Sequence, residues 1–535
     1  MTRFFNTAGP NKLADNYSID PFERIDWAEL QLLIDQQRYF VLHAPRQTGK
    51  TTLLNAIVQR LGREGRYLAL YVNVENAQVA RNDFDRGIQM IVELIGTQAS
   101  MFLPDSWVAS NWRSVVASSA PGNALMLLLG QWAINSRIPI VLVIDEIDAL
   151  VGDTLVSVLR QLRTGYNNRP AAFPQSVILC GVRDVRDYRI HTSAGEIITG
   201  GSAFNVKAKS LRLGNFSEAE VRELYGQYTA DTRQVFDESI YPKVMALTGG
   251  QPWLVNALAS ELTQEMPHLQ DRSRKITLDD VDEAKERLIL RRDTHLDQLV
   301  DKLTEPRVHR VIGPILAGEQ WSDAVSIEDR QYVVDLGLIT MQVGGGVRIA
   351  NDIYREVIPR ELTSILQNNV STQVPRAAFV LADGRLDFRA MLAGFQQFYR
   401  ENSEVWRNRA TYEEAAPQLL LQAWLQRVVN GGGRIEREYA LGRGRADIFV
   451  RYFYEVSGKR AEQRFVVEMK VKRGTIEATI EEGLAQTASY ADTCQPDEAH
   501  LIVVDPSPAT ARSWDEKVFV EERSAHGRQI TVWGM

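Results

Sequence analysis

From residue 39 onward, short apolar runs alternate with longer amphipathic stretches. YFVLHA (39–44), YLALYVNV (67–74), IPIVLVIDEID (138–148) and SVILCGV (176–182) are apolar almost throughout, which predicts strands buried on both faces. Between them, KTTLLNAIVQRLG (50–62) and DFDRGIQMIVELIG (83–96) space their apolar residues at helical intervals. Such alternation predicts an α/β fold with a parallel sheet covered on both sides. Residues 1–20 are polar and turn-rich, a strap leading into this first domain. Residues 218–292 predict helices laced with acidic-to-basic spacings of four.

Beyond them the pattern changes twice. VVDLGLITMQVGGGVRIAN (333–351) predicts a helix end and a two-stranded wing around Gly344 and Gly346. A polar stretch with Asn368, Asn369 and Pro375 predicts a linker, and the last segment passes from helices to the strands RADIFVRYFYEV, RFVVEMKV and AHLIVVD. The expected domains are an α/β core over 1–215, a helical lid over 216–295, a winged unit over 296–362, a linker over 363–385 and a second α/β domain over 386–535.

Composition narrows the classes. The chain has 535 residues, 44% of them apolar, and a net charge of −7, which excludes a uniformly basic nucleic-acid binder but permits a local basic cleft. Two cysteines, Cys180 and Cys494, exclude a disulfide framework or a Cys-rich zinc site. There is no apolar signal core at the start and no run of membrane-spanning length, so a cytoplasmic protein without a membrane partner is expected.

The first chemistry lies where YFVLHA runs into APRQTGKTTLL (44–54). A glycine, four residues and Gly-Lys-Ser/Thr between strand and helix is the phosphate-binding P-loop. Here Ala44 takes the first glycine's place, which is tolerable if that position needs no positive φ. Pro45, Arg46, Gln47, Thr48, Gly49, Lys50, Thr51 and Thr52 form the candidate nucleotide cradle, with the N–H groups from Arg46 to Thr51 facing the phosphates. Lys50 would reach the β- and γ-phosphates of ATP, and Thr51 would ligate Mg²⁺. About 95 residues later, IVLVIDEIDAL (140–150) ends an apolar strand in two carboxylates, where a buried strand does not place charge without reason. Asp145 can hold Mg²⁺, and Glu146 can orient the attacking water.

The region 20–292 resembles the AAA+/STAND-related ATPases that include the archaeal-type ATPase family. SVILCGVRDVRDY (176–188) resembles their fourth core strand and sensor segment, with Arg183 as the sensor charge; a surface arginine paired with Asp184 or Asp187 is the other reading. TGGQPWLVNAL (248–258) resembles their Gly-x-Pro element, and the resemblance puts Gly250 and Pro252 near adenine. It also implies a winged helix behind the lid and a homo-oligomer. Lys302, Arg307 and Arg310 are interspersed with Asp301, Glu305 and Asp323, which favours a packing role for that winged helix over DNA binding.

The second chemistry is C-terminal. GRGRADIFV (442–450) sets Asp447 at a strand start, and RFVVEMKVKRG (464–474) sets Glu468 and Lys470 on one face of another strand. A divalent cation, Mg²⁺ or Mn²⁺, bridging Asp447 and Glu468 would compensate this inward charge, and Lys470 could position a water; a solvated surface salt bridge is the other reading. The layout resembles the PD-(D/E)XK nuclease superfamily. Glu414 (or Glu413) matches its first-helix acid, and Gln486 and Tyr490 match its Gln-x-x-x-Tyr element. Residues 406–475 carry 14 Lys/Arg against 8 Asp/Glu, a local +6. The run GGGRIEREYALGRGR either tracks a phosphate backbone or forms a hairpin with solvated arginines.

These features lead to the expectation of an ATP-binding switch controlling a metal-dependent nuclease that acts on DNA rather than RNA, in defence against phage or mobile elements. The alternative is a regulatory ATPase with a C-terminal domain that binds DNA or a partner without turnover.

Overall fold

In the computed structural model the described residues are 3–191, 197–291, 301–316, 325–341, 347–362, 379–409, 416–429, 433–440, 445–456, 459–472, 474–507 and 511–535. They form two compact units, residues 1–291 with 335–337 and residues 292–334 with 338–535.

The first unit follows the alternation of the sequence. Its elements are α1 (Trp27–Asp35), β1 (Tyr39–His43), α2 (Lys50–Glu64), β2 (Leu68–Asn73), α3 (Phe84–Phe102), α4 (Trp107–Ser118), α5 (Ala124–Ile134), β3 (Ile140–Asp145), α6 (Gly152–Gly165) and β4 (Ser176–Gly181). After them come the hairpin β5 (Arg189–His191) and β6 (Ile197–Thr199), the single turn α7 (Gly200–Ala203) and β7 (Lys207–Arg212). The sheet order is β2-β3-β4-β1-β7, and every pairing is parallel. Side chains alternate across a strand, so a strand buried on both sides feeds two cores. In β3, Leu142 and Ile144 join the cluster packed under α3, α5 and α6, while Val141 and Val143 join the one under α1 and α2. The helices α4 and α5 and the fifth strand β7 are additions to the expected pattern. β7 reads KAKSLR, whose alternating lysines hide a sheet-edge strand. The lid comprises α8 (Glu218–Thr232), α9 (Ile240–Thr248), α10 (Pro252–Ser260) and α11 (Leu278–Arg291).

The second unit begins with α12 (Pro306–Leu316), α13 (Ile327–Asp335), the antiparallel pair β8 (Ile339–Met341) and β9 (Val347–Ile349), and α14 (Asp352–Leu362). The antiparallel pair β8 and β9 falls where the wing was expected; Gly344 and Gly346 lie outside the described residues, as do Asn368, Asn369 and Pro375. Within this unit α14 and β9 pack on the following domain. That domain has α15 (Phe388–Arg409), α16 (Ala416–Val429), β10 (Gly433–Ala440), β11 (Arg445–Val456), β12 (Lys459–Val471), α17 (Ile476–Cys494), β13 (Glu498–Val504), the single turn α18 (Trp514–Lys517), β14 (Phe519–Ala525) and β15 (Arg528–Gly534). Its six-stranded sheet has the order β10-β11-β12-β13-β15-β14 and is mixed, with β12-β13-β15 parallel. One face, with Val467 and Met469, packs on α15 and α16; the other, with Leu501 and Val503, packs on α17.

Candidate functional site

The nucleotide cradle is built at the end of β1. Ala44 is buried, donates its N–H to the Gly181 carbonyl at 3.2 Å and is not among the positive-φ residues, so the substitution of the first glycine leaves the loop's geometry intact. The sharp turns come later, at Gln47 (φ 56°) and Gly49 (φ 87°). A Cβ on Gly49 would be strained by that φ and would also crowd the Arg24 guanidinium at 3.0 Å. Arg24 is a brace that the sequence did not reveal: it donates to the carbonyls of Thr48 (2.8 Å) and Gly214 and lies over the Phe216 ring. Burial pushes it down to about 10. Lys50 donates to the carbonyls of Ala44 and Pro45, each at 3.0 Å, and Thr48 Oγ1 donates to the Pro45 carbonyl at 2.7 Å. Arg46 is exposed beside them, and Thr52 Oγ1 accepts the Asn11 N–H at 3.1 Å.

The structure brings Asp145 to this loop. Two strands away in sequence order, but separated in the sheet only by β4, Asp145 is fully buried at the tip of β3. Its Oδ2 accepts from Thr51 Oγ1 and from the Tyr71 hydroxyl, both at 2.9 Å, and its Oδ1 accepts the Glu146 N–H at 2.9 Å. Tyr71, on β2, went unrecognised because an aromatic in an apolar strand gives no sign of its hydroxyl's partner. Glu146 stands in the left-handed region (φ 57°), and its carboxyl is raised above the usual range, first by burial and then by Asp148. Lys50 and Arg46 pull its carboxyl the other way, so both lie within electrostatic reach of it. His43, the last residue of β1, is pushed down to about 4 by burial, against the opposite pull of Asp184.

Asp184 is held by Lys207 at 2.6 Å in a buried pair, so the segment after β4 is tied to β7. Arg183 lies with its guanidinium 4.8 Å from the Tyr188 ring centroid. From the lid, Gln251 donates to the carbonyls of Arg46 and Gln47, both at 3.4 Å, and caps α10 by accepting the Leu254 N–H at 2.6 Å. Gln251 lies between the two residues the sequence singled out, Gly250 and Pro252. Pro252 lines a cavity together with Gln47, Gly49 and Thr52.

The C-terminal site is a separate construction. Glu468 is fully buried in β12, in register with Asp447 across β11 and with Leu501 across β13. Neither of its carboxylate oxygens accepts a hydrogen bond, although Lys470 Nζ stands 3.3 Å from Oε1. That is an ion contact rather than a short charge-assisted bond. Lys470 also stands 3.5 Å from Glu482 Oε1 on α17, and Gln486 donates to the same oxygen at 3.1 Å. Gln486 Oε1 is buried without a donor. The helix comes this close because Gly483 faces Leu501; a Cβ there would meet its Cδ1 at 2.5 Å. Lys470 therefore links Glu468 to Glu482, and Glu482 links Lys470 to Gln486, a role that no short-range pattern in the sequence marks. Tyr490 lies one turn beyond Gln486 on α17. Glu414 and Glu413 lie outside the described residues, as does the side chain of Asp447. Among the described residues no three His, Cys, Asp or Glu side chains cluster as a metal site. The arginine-rich run contributes RIEREYA to β10, a sheet-edge strand antiparallel to β11.

Residues 34–188 match the family model of the AAA domain. No curated protein sequence matches the chain. Among solved structures the chain is similar to a Walker-type ATPase of Pyrococcus abyssi (13% identity, TM-score 0.45, 66% of this chain and 99% of that one). It is similar also to Cdc6p of Pyrobaculum aerophilum (15%, 0.36, 65% and 98%) and to a RuvB variant of Thermotoga maritima (14%, 0.33, 65% and 94%). Likeness at these levels bears on neither activity nor partner. The domain match, the five-stranded parallel sheet and the P-loop at its β1–α2 turn support an ATPase of the AAA+ type. No helix among the described residues is long and apolar enough to cross a membrane.

Proposed function

We propose that the chain is an ATP-dependent switch whose C-terminal domain is a metal-dependent nuclease of the PD-(D/E)XK type, acting on DNA. In the first unit the P-loop amides and Lys50 hold the triphosphate, Thr51 and Asp145 hold its Mg²⁺, and Glu146 orients the attacking water. The nuclease reading rests on one observation, the buried Glu468 carboxylate whose oxygens accept no hydrogen bond and meet only the ion contact of Lys470. A buried carboxylate without donors is costly, and a divalent cation relieves that cost. Direct partners in an antiparallel ladder lie about 4.5–5.5 Å apart, so the register of Asp447 with Glu468 suits two ligands of one ion. When bound, Mg²⁺ or Mn²⁺ supplies positive charge to a scissile phosphate. Lys470, steadied by Glu482, would face the developing charge, and Gln486 and Tyr490 would border the site. The local +6 of residues 406–475 suits a nucleic-acid substrate. The helix-hairpin-helix unit with β8 and β9 is read as a winged helix that fastens domains, and the whole as a cytoplasmic homo-oligomer serving defence.

The test is plasmid DNA incubated with Mg²⁺ or Mn²⁺, with and without ATP, with tRNA in a parallel arm. Cleavage by the wild type that is lost in Lys470→Ala supports the reading, and its dependence on ATP and on Lys50 supports the switch. Intact nucleic acid under every condition, with ATP still hydrolysed, overturns the nuclease.

A further inference from the structure

A second charge cluster stands beside Glu468 and Lys470, and the reading of that site leaves it unused. β12 ends at Val471, but its ladder to β13 runs one residue further, from the Lys472 N–H to the Val504 carbonyl at 2.9 Å. Side chains alternate along a strand, so Lys472 continues the face of Glu468 and Lys470, about 6.6 Å beyond Lys470. There Lys472 Nζ donates to Asp505 Oδ2 at 2.9 Å, and Arg512 donates to the same oxygen at 2.8 Å. Asp505, the residue after β13, is buried, and its Oδ1 accepts the Ser507 N–H at 3.0 Å. Burial pushes this carboxyl up, but the bonds from Ser507, Lys472 and Arg512 outweigh it and hold the group well below the usual carboxylate range.

One ionised carboxylate thus carries two cations, which leaves a surplus of one positive charge. The surplus lies where water reaches. The side chains of Lys472 and Arg512 keep 19% and 29% of their exposure, whereas that of Asp505 keeps 1%. An ammonium brings three donors and a guanidinium five. Among the described residues Lys472 uses one of them, on Asp505, and Arg512 bonds only Asp505 and the Glu516 carbonyl, the latter at 3.3 Å. Two oriented, reachable cations with donors to spare and a net positive charge make a site for an anion with several oxygens.

Resting on the nuclease reading of Glu468, we infer that Lys472 and Arg512, oriented by Asp505, hold a phosphodiester of the bound DNA strand beside the scissile one. The contact is to backbone rather than to base edges. It therefore adds affinity and fixes the strand's register on the site without selecting a sequence.

The experiment titrates the full-length chain with a labelled duplex bearing 5′-hydroxyl ends, so that only internal phosphates are offered. Ca²⁺ replaces Mg²⁺, and the salt concentration is varied. Lys472→Gln and Arg512→Gln each leave the cluster neutral with Asp505 still paired. Each is expected to lower the slope of log affinity against log salt by about 1, equally on duplexes of different sequence. Asp505→Asn adds positive charge but releases both cations from their carboxylate, so it should bind no tighter than wild type. An unchanged slope in either single variant overturns the inference. So does tighter binding by Asp505→Asn, which would mean general attraction rather than a built site. A misfolded Asp505→Asn leaves the two single variants to decide. Failure of the nuclease reading looks different: wild type would leave plasmid intact with Mg²⁺ or Mn²⁺ whatever the slopes, and would take this inference with it.

Discussion

Asp145 and Glu468 are both fully buried carboxylates set in parallel-paired strands, and their surroundings are opposite. Asp145 accepts from two hydroxyls and one backbone N–H, all supplied by the chain. Glu468 accepts from none, and its nearest cation stands at ion-contact distance. The first carboxylate is therefore accommodated by folding, because three donors replace the water it loses. The second is a charge that folding leaves exposed to the cost of burial, and that cost is the physical case for an ion. Two sites with similar burial thus differ in what they still require.

The sharpest test of the contrast is on activity. Lys470→Ala should lower cleavage by about 100-fold or more, as for loss of an electrostatic stabiliser, while ATP hydrolysis stays within about twofold. A gel-based cleavage assay run beside phosphate release checks both, and equal losses in the two would erase the division of labour. In the other unit, Lys50→Ala should weaken nucleotide binding by roughly 10–100-fold, the worth of a charged hydrogen bond, without changing DNA binding by the C-terminal domain; titration with a fluorescent nucleotide and a labelled duplex measures the two.

Stability separates the carboxylates next. Mn²⁺ should raise the melting temperature of the wild type but not that of Glu468→Gln, which removes the buried charge and keeps the side chain's shape. Thermal melts with and without Mn²⁺ decide it, and an equal response to Mn²⁺ in the two would mean that Glu468 holds no ion. His43 supplies a pH test confined to the first unit. Its folded value of about 4 lies below its ordinary 6.5, so between those values the unfolded chain binds a proton that the folded chain does not. Stability should be full above about pH 6.5 and fall as the pH drops toward 4, and His43→Asn should flatten that slope in urea melts. The smallest effect is expected for Tyr71→Phe, which removes one of three donors to Asp145 and should cost about 1 kcal/mol of stability. No measurable cost would show that Thr51 and the Glu146 N–H suffice.

Much of this was legible in residue order. The P-loop, the carboxylate-tipped strand and the Glu-x-Lys strand are short-range patterns in which the strand period or the helix start fixes geometry locally. The groups that complete them come from far away. Tyr71 reaches Asp145 across a strand neighbour, Arg24 braces Thr48 from a preceding turn, Gln251 returns from the lid, and Glu482 reaches Lys470 from a helix. None carries a local signature, because a hydroxyl, an arginine or a surface acid looks the same in sequence whatever it meets. β7 shows the same limit for the fold, since its alternating lysines resemble a loop until the sheet closes on it.

The sequence by itself determined that there is a parallel α/β core with a phosphate loop, and that two charges share one face of a late strand. Periodicity and spacing are enough for that, because they act within a few residues. Tertiary structure alone decided which buried carboxylates are hydrogen-bonded: Asp145 accepts from its neighbours, whereas Glu468 has no donor and only the ion contact of Lys470. Hydrogen-bond satisfaction depends on distance in space, and Tyr71 and Thr51 reach Asp145 from 74 and 94 positions away in the chain.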